Sequence, residues 1–220
     1  MGGTFERGTS NGAAMRIAPA GVLYPGNLDK TIEVAITMTQ PSHGTQHAYS
    51  GACAIACGIS EALTEDADLY SITKACLYGA KRGEEIGKEE ARIAPGFATY
   101  EKIVKAIEIA LTSDNMDEAM DRLERYVGND GTVQSTVGTA VGLFLASNGD
   151  SMDTIIGGAN IGGDTDTIAC IAGMLAGAYN GLEGIDQDKF EVFSKANTAF
   201  DFDKVAEELT ELAYENYING

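Results

Sequence analysis

Gly157 to Gly181 reads GGANIGGDTDTIACIAGMLAGAYNG. A glycine-rich turn comes first, then two carboxylates two residues apart, then an apolar run rich in small residues. Residues i and i+2 of a helix lie about 200° apart and share no face. If Asp164 and Asp166 are to meet one ligand, they must therefore sit before a helix or in its first turn. Gly162 and Gly163 permit an unusual backbone turn at that point, and Asp164 or Thr165 is a suitable N-cap for a helix made of the apolar run. Ala169, Gly173 and Gly177 recur every fourth residue as a narrow flat stripe, while Ile168, Ile171, Leu175 and Tyr179 supply bulk elsewhere. This spacing predicts a central helix packed closely on most sides.

Two carboxylates and the Thr167 hydroxyl at a loop-to-helix junction make an all-oxygen set, which magnesium, manganese or calcium prefers. Zinc, which favours nitrogen and sulfur donors, fits the set poorly. The spacing alone admits a second reading, in which Asp164 caps the helix and Asp166 is an anion placed against the helix dipole.

Outward from this stretch, 220 residues with 44% hydrophobic content suffice for one globular domain with a real core, expected to run over 1–220. A formal charge of −18, from 33 acidic against 15 basic residues, argues against a nucleic-acid partner. The same charge suits a site that collects cations, and it suits a solubilising surface. Cys53, Cys57, Cys76 and Cys170 form no CxxC pair and fall inside apolar helical patterns, which reads as buried, reduced thiols in a cytosolic protein. Neither a signal-peptide pattern nor an unbroken apolar run of 18 residues is found, so a soluble, cytoplasmic chain with no membrane partner is expected.

The pass along the chain predicts helix almost throughout. Met1 to Leu23 is glycine-rich and contains Ser10-Asn11-Gly12-Ala13-Ala14-Met15-Arg16. A Ser-Asn-Gly turn entering a short helix can offer free N–H groups to an anion such as a phosphate, and can equally be an ordinary capped turn. Helices are expected over 27–39, ended by Pro41, and over 48–64, where Ala54, Gly58 and Ala62 repeat every four. His43 falls in the loop between them, placed either to bond a phosphate or ribose hydroxyl or to serve a structural role; His47 is given no role. Further helices are expected over 68–88, 97–111, 116–127, 132–147, 188–199 and 202–218. Residues 83–96 read as a polar surface connection, Asn129-Asp130-Gly131 as a turn, and 151–158 as the approach to the opening motif. Val205, Leu209, Leu212 and Tyr217 are expected to face a core. No strand-like alternation longer than four residues appears, and the fold class is all-α, a compact helical bundle.

GGDTDT followed by IACIAGMLAGAYNG resembles the C-terminal signature of the ADP-ribosylglycohydrolase family, which includes the dinitrogenase reductase-activating glycohydrolases. The resemblance implies that Asp164, Asp166 and Thr167 hold a divalent metal, magnesium or manganese, and that Asp164 and Asp166 serve catalysis. A segment like SNGAAMR contacts ADP-ribose in that family, and a His shortly before a Gly-Ala pair touches the substrate. The implied substrate-binding residues here are Ser10, Asn11, Gly12, Met15, His43, Gly162 and Gly163, with Gln134 and Ser135 at the position of a polar pair near the site. The implied activity is metal-dependent hydrolysis of the bond between ADP-ribose and an acceptor on a protein or small molecule. Non-catalytic and structural relatives also occur in the family, so a non-catalytic ADP-ribose-binding role stands beside it. The family's binuclear centre takes its other half from an N-terminal Thr-Asp-Asp motif, and this chain contains no Asp-Asp pair. An N-terminal part is accordingly expected to be missing, to be supplied by a separate segment or chain, with weak or absent activity without it.

Overall fold

Glycine and alanine on several faces let neighbouring helices approach one helix from all sides, and this chain uses that device repeatedly. In the computed structural model, which describes residues 8–219, a 3-10 turn at Asn11–Ala13 precedes eleven α-helices. The first seven residues of the glycine-rich opening segment lie outside it. The helices are α1 Ala18–Val22, α2 Leu28–Thr39, α3 Gln46–Ala62, α4 Leu69–Glu90, α5 Thr99–Thr112 and α6 Met116–Tyr126. They continue as α7 Val133–Ala146, α8 Ser151–Asn160, α9 Thr165–Asn180, α10 Gln187–Ala196 and α11 Phe202–Asn219. Among the described residues there is no strand, only two isolated bridges, and the all-α class holds.

The core is built around α3, in which every residue except Glu61 is buried. Thr45 starts it, its hydroxyl accepting from the Ala48 N–H at 3.2 Å. Helix α4 lies against it backbone to backbone. A Cβ on Gly79 would stand 2.2 Å from the Cys53 carbonyl oxygen, and one on Gly83 would stand 2.5 Å from that of Tyr49. One on Gly87 would stand 2.5 Å from the Gln46 Cα. These glycines shorten the expected polar connection at 83–96 to 91–98 and bear out the helix expected over 68–88: α4 runs on to Glu90 because its charged residues face water while Gly83 and Gly87 face α3. Ile55, Ile59, Ile72 and Ile171 are among the side chains enclosed here, each contributing about 1.5–3 kcal/mol by leaving water.

Helix α7 continues the pattern, with Gly138 against Val127 and Lys102, and Gly142 against Leu123 and Ala106. Helix α9 buries Ile168, Ile171, Ala172, Leu175 and Ala176 against the core. Its stripe is only partly close-packed. Ala169 meets Gly158 and Gly173 meets Ile155, both on α8, whereas nothing lies within 4 Å of a Cβ on Gly177. Residues 151–158, expected as an approach, belong to α8, which Asp150 caps by accepting from the Asp153 N–H at 2.8 Å.

Two further expectations are corrected. Val205, Leu212 and Tyr217 are exposed, and Leu209 is only half-buried. The amphipathic pattern of α11 is real, but its apolar face rests mainly on α1 and, among the described residues, buries Ala213 alone. Cys170 is also exposed, because it lies on the side of α9 turned from the core, its Sγ 3.7 Å from the Met15 carbonyl. The other three cysteines are buried, and burial pushes the Cys53 and Cys76 thiols up to about 12 and that of Cys57 higher still. No helix among the described residues is long and apolar enough to cross a membrane.

Candidate functional site

The head of α9 is shaped by two glycines in the left-handed region, Gly162 at φ 83° and Gly163 at φ 64°. A Cβ on Gly163 would stand 2.2 Å from the Asn129 carbonyl oxygen, so only glycine fits. That carbonyl accepts from the Asp164 N–H at 2.8 Å, and the Asn129 side-chain amide donates to the Ile161 carbonyl at 3.1 Å. The turn at 129–131 thus holds the junction from behind.

Asp164 occupies the N-cap position of α9 but makes no side-chain capping bond. Its carboxylate is engaged elsewhere. Oδ1 accepts from the Thr167 hydroxyl at 3.2 Å, and Oδ2 accepts from the Asn11 amide at 2.5 Å. Asp166 is exposed in the first turn and Thr167 is buried. The capping reading of Asp164 is therefore not the one its side chain adopts.

Asn11 arrives from the opposite end of the sequence. Its N–H donates to the Gly131 carbonyl at 3.0 Å, the Val133 N–H donates to the Thr9 carbonyl at 3.0 Å, and Ser10 pairs with Thr132 in an antiparallel bridge. Residues 9–11 are thereby laid along 131–133. Gly12 comes next with its Cα close to an imidazole, since a Cβ there would lie 2.9 Å from His43 Nε2.

His43 Nε2 lies 2.9 Å from Ser10 Oγ, and its Nδ1 lies 3.2 Å from an Arg16 nitrogen and 2.9 Å from Ser42 Oγ. Arg16 also donates to Ser42. Because a guanidinium can only donate, Nδ1 must be an acceptor, and the neutral ring carries its proton on Nε2 and donates to Ser10. Burial, then the Arg16 charge, lowers the His43 pKa and keeps it in that form. His43 consequently cannot take the Ser10 proton, which rules out a serine nucleophile activated by this histidine in this arrangement.

The structure brings Asp164, Thr167 and Asn11 into direct contact, joins Ser10, Gly12 and His43, and links the two groups through consecutive residues. Gly162 and Gly163 form the junction itself. Met15 is 44% exposed beside α9, its carbonyl near Cys170. Gln134 and Ser135 are buried in the first turn of α7, where Ser135 Oγ accepts from the Thr132 hydroxyl at 3.1 Å. Sequence reasoning missed the supporting role of Asn129, of which its turn-forming Asn-Asp-Gly context gave no sign. His47, given no role by the sequence, is 2% exposed, and burial is the largest cause lowering its pKa. A separate groove of about 820 Å³, lined by Tyr24, Tyr78 and Tyr217 among others, shares no residue with this site.

As a metal seat, the donor chemistry at the head of α9 fits a hard cation: two carboxylates and a hydroxyl, all oxygen. Two charged donors are nevertheless few, and among the described residues no group of three or more His, Cys, Asp or Glu side chains could hold a metal ion.

These features describe an all-α protein with an oxygen-lined junction at the head of a core helix, faced across the site by a Ser-Asn-Gly turn and a histidine. The family model for ADP-ribosylglycohydrolase matches residues 2–219, and the chain belongs to that family. It is 31% identical over 183 residues to the uncharacterized protein YegU of Escherichia coli, an alignment covering 82% of this chain and 53% of the relative. It is 27% identical over 197 residues to the ADP-ribosylhydrolase ARH3 of Homo sapiens, covering 80% and 52% respectively, and the Bos taurus protein of the same name matches with the same identity. The chain spans about half the length of the curated relatives it matches.

Proposed function

We propose that this chain contributes the ADP-ribose-binding and cation-binding face of a hydrolase that cleaves the bond between ADP-ribose and its acceptor. The observation that carries the reading is the contact of Asp164 at the head of α9 with Thr167 and with Asn11, and, next to Asn11 in the chain, the Ser10–His43 pair.

Asp164 and Thr167, with Asp166 beside them, would hold magnesium or manganese, three oxygens of about six, leaving the other positions to water, substrate and donors outside this chain. When bound, the ion would orient ribose hydroxyls and activate the water that attacks the anomeric carbon. Asp166, exposed and without a hydrogen bond that would tie it down, would accept the proton of that water. Arg16 would supply positive charge for the diphosphate, and the Ser10 hydroxyl, which accepts from His43 Nε2–H, would keep its own proton to donate; the bare backbones of Gly12, Gly162 and Gly163 allow the ligand to approach closely. Met15 offers an apolar contact at the rim.

Calorimetric titration with manganese tests the cation seat. Wild-type chain is expected to bind weakly, with loss of binding in Asp166→Ala; tight binding that survives the substitution would reduce Asp166 to a helix-end anion. Release of ADP-ribose from a modified protein, measured with and without an added N-terminal segment of a full-length relative, tests the chemistry. Turnover is expected only with the segment. ADP-ribose binding with no turnover under either condition would make the chain a non-catalytic relative.

A further inference from the structure

We infer that Asn11 is a positioning residue for Asp164, orienting its carboxylate through the side-chain amide. The importance of Asp164 rests on the function proposed above; the bond itself does not.

Asn11 is buried and has little freedom to do anything else. Its backbone N–H is tied to Gly131, and its side-chain nitrogen donates twice, to Thr136 Oγ1 at 3.0 Å and to Asp164 Oδ2 at 2.5 Å. The Thr136 hydroxyl spends its proton on the Asp130 carbonyl at 2.8 Å, so it faces Asn11 with a lone pair. A carboxylate oxygen and a lone pair together accept only from an NH₂ group, and this chemistry fixes which end of the amide points at Asp164.

Asp164 is then held at both oxygens, Oδ2 by Asn11 and Oδ1 by Thr167. Each carboxylate oxygen has two lone-pair sites, so one on each stays open. A lysine in place of Asn11 would also hold the group but would cancel the charge that a cation needs. A neutral amide orients the carboxylate and leaves its charge intact. Gly131 completes the seat, since a Cβ there would come within 3.4 Å of Oδ2.

A double-mutant cycle on the metal-free chain tests this, with urea unfolding of wild type, Asn11→Ala, Asp164→Ala and the double variant. Direct coupling is expected to make the folding constant of the double variant about ten- to a hundredfold larger than the product of the two single effects predicts, as for a charge-assisted hydrogen bond. A coupling factor near one overturns the proposal. Should Asn11→Ala not fold, the side-chain NH₂ resonances of Asn11 in ¹⁵N-labelled wild type and Asp164→Ala decide it. One of the two amide protons is expected to lie downfield in the wild type and to move upfield in the variant, while the proton bound to Thr136 stays in place; two unmoved protons overturn the proposal. Neither measurement needs cation or substrate, so failure of the manganese titration would strike the proposed function and leave this result standing.

Discussion

Helices α3 and α9 and the C-terminal pair α10 and α11 have similarly helical sequences and opposite fates. In α3 glycine, alanine and serine bring neighbouring backbones close, and nearly every residue is enclosed. In the C-terminal pair, the large side chains stay in water. Phe193 meets Phe202 at a tilt with ring centroids 5.2 Å apart, and Phe190 and Phe200 extend the row, so these rings touch one another rather than the core. Their ion pairs, Lys189 with Asp186 and Lys195 with Glu191, are exposed and of the kind that contributes little. The apolar content of a helix therefore says less about its burial than the presence of a surface able to receive it. Every candidate functional residue belongs to the enclosed region or to the loops entering it.

Substitutions on the two sides of this contrast put it to the test. Phe144 is fully buried and meets Tyr179 edge-on; Phe144→Ala should cost about 3–5 kcal/mol by urea unfolding, and a loss below about 1 kcal/mol would deny the core its role. Within the glycine stripes, Gly79→Ala should cost roughly 1–3 kcal/mol because the methyl meets the α3 backbone. Gly177→Ala, with open space around it, should instead stabilise by about 0.5–1 kcal/mol through helix propensity. Equal effects at the two sites would mean that the stripes are not packing surfaces.

Acid should weaken the enclosed region first. Burial is the leading cause that lowers both His43 and His47, with Arg16 adding to it at His43, while Glu84 and Lys88 oppose one another at His47. A histidine whose folded pKa lies below its unfolded value of about 6.5 stabilises fully above that value, and the contribution is lost as the pH falls. Urea midpoints measured at about pH 7.5, 6.5 and 5.5 should fall in that order, and less steeply in His47→Gln; a flat profile would mean that both rings are solvated. The mildest change is expected from Phe200→Ser, which should alter stability by no more than about 0.5 kcal/mol, and a larger loss would show that the exposed aromatic row contributes to stability.

Most of the fold was legible in the sequence, because caps and apolar spacing coincide. Asn27, Thr45, Asp68 and Asn115 each accept from a first-turn N–H of the helix they precede. The last turns of α4 read both as helix and as connection, because Gly83 and Gly87 form most of their buried face among Glu84, Glu85, Lys88, Glu89 and Glu90. In α11 an apolar face was visible, but amphipathic spacing does not reveal whether a partner exists. The two aspartates and the Ser-Asn-Gly turn stood out through glycine content and resemblance. Their connection through Asn129, Gly131 and Thr136 did not, since a local pattern cannot say which distant backbone a turn will receive.

The fit of the Asn129 carbonyl against the bare Cα of Gly163 has a mechanical consequence. The 129–131 turn also carries the strand-like segment at 9–11, so the junction, the turn and the Ser-Asn-Gly segment are fastened like three stones sharing one wedge. Asn11 and Asp164, 153 positions apart along the chain, thus take their places from one shared turn.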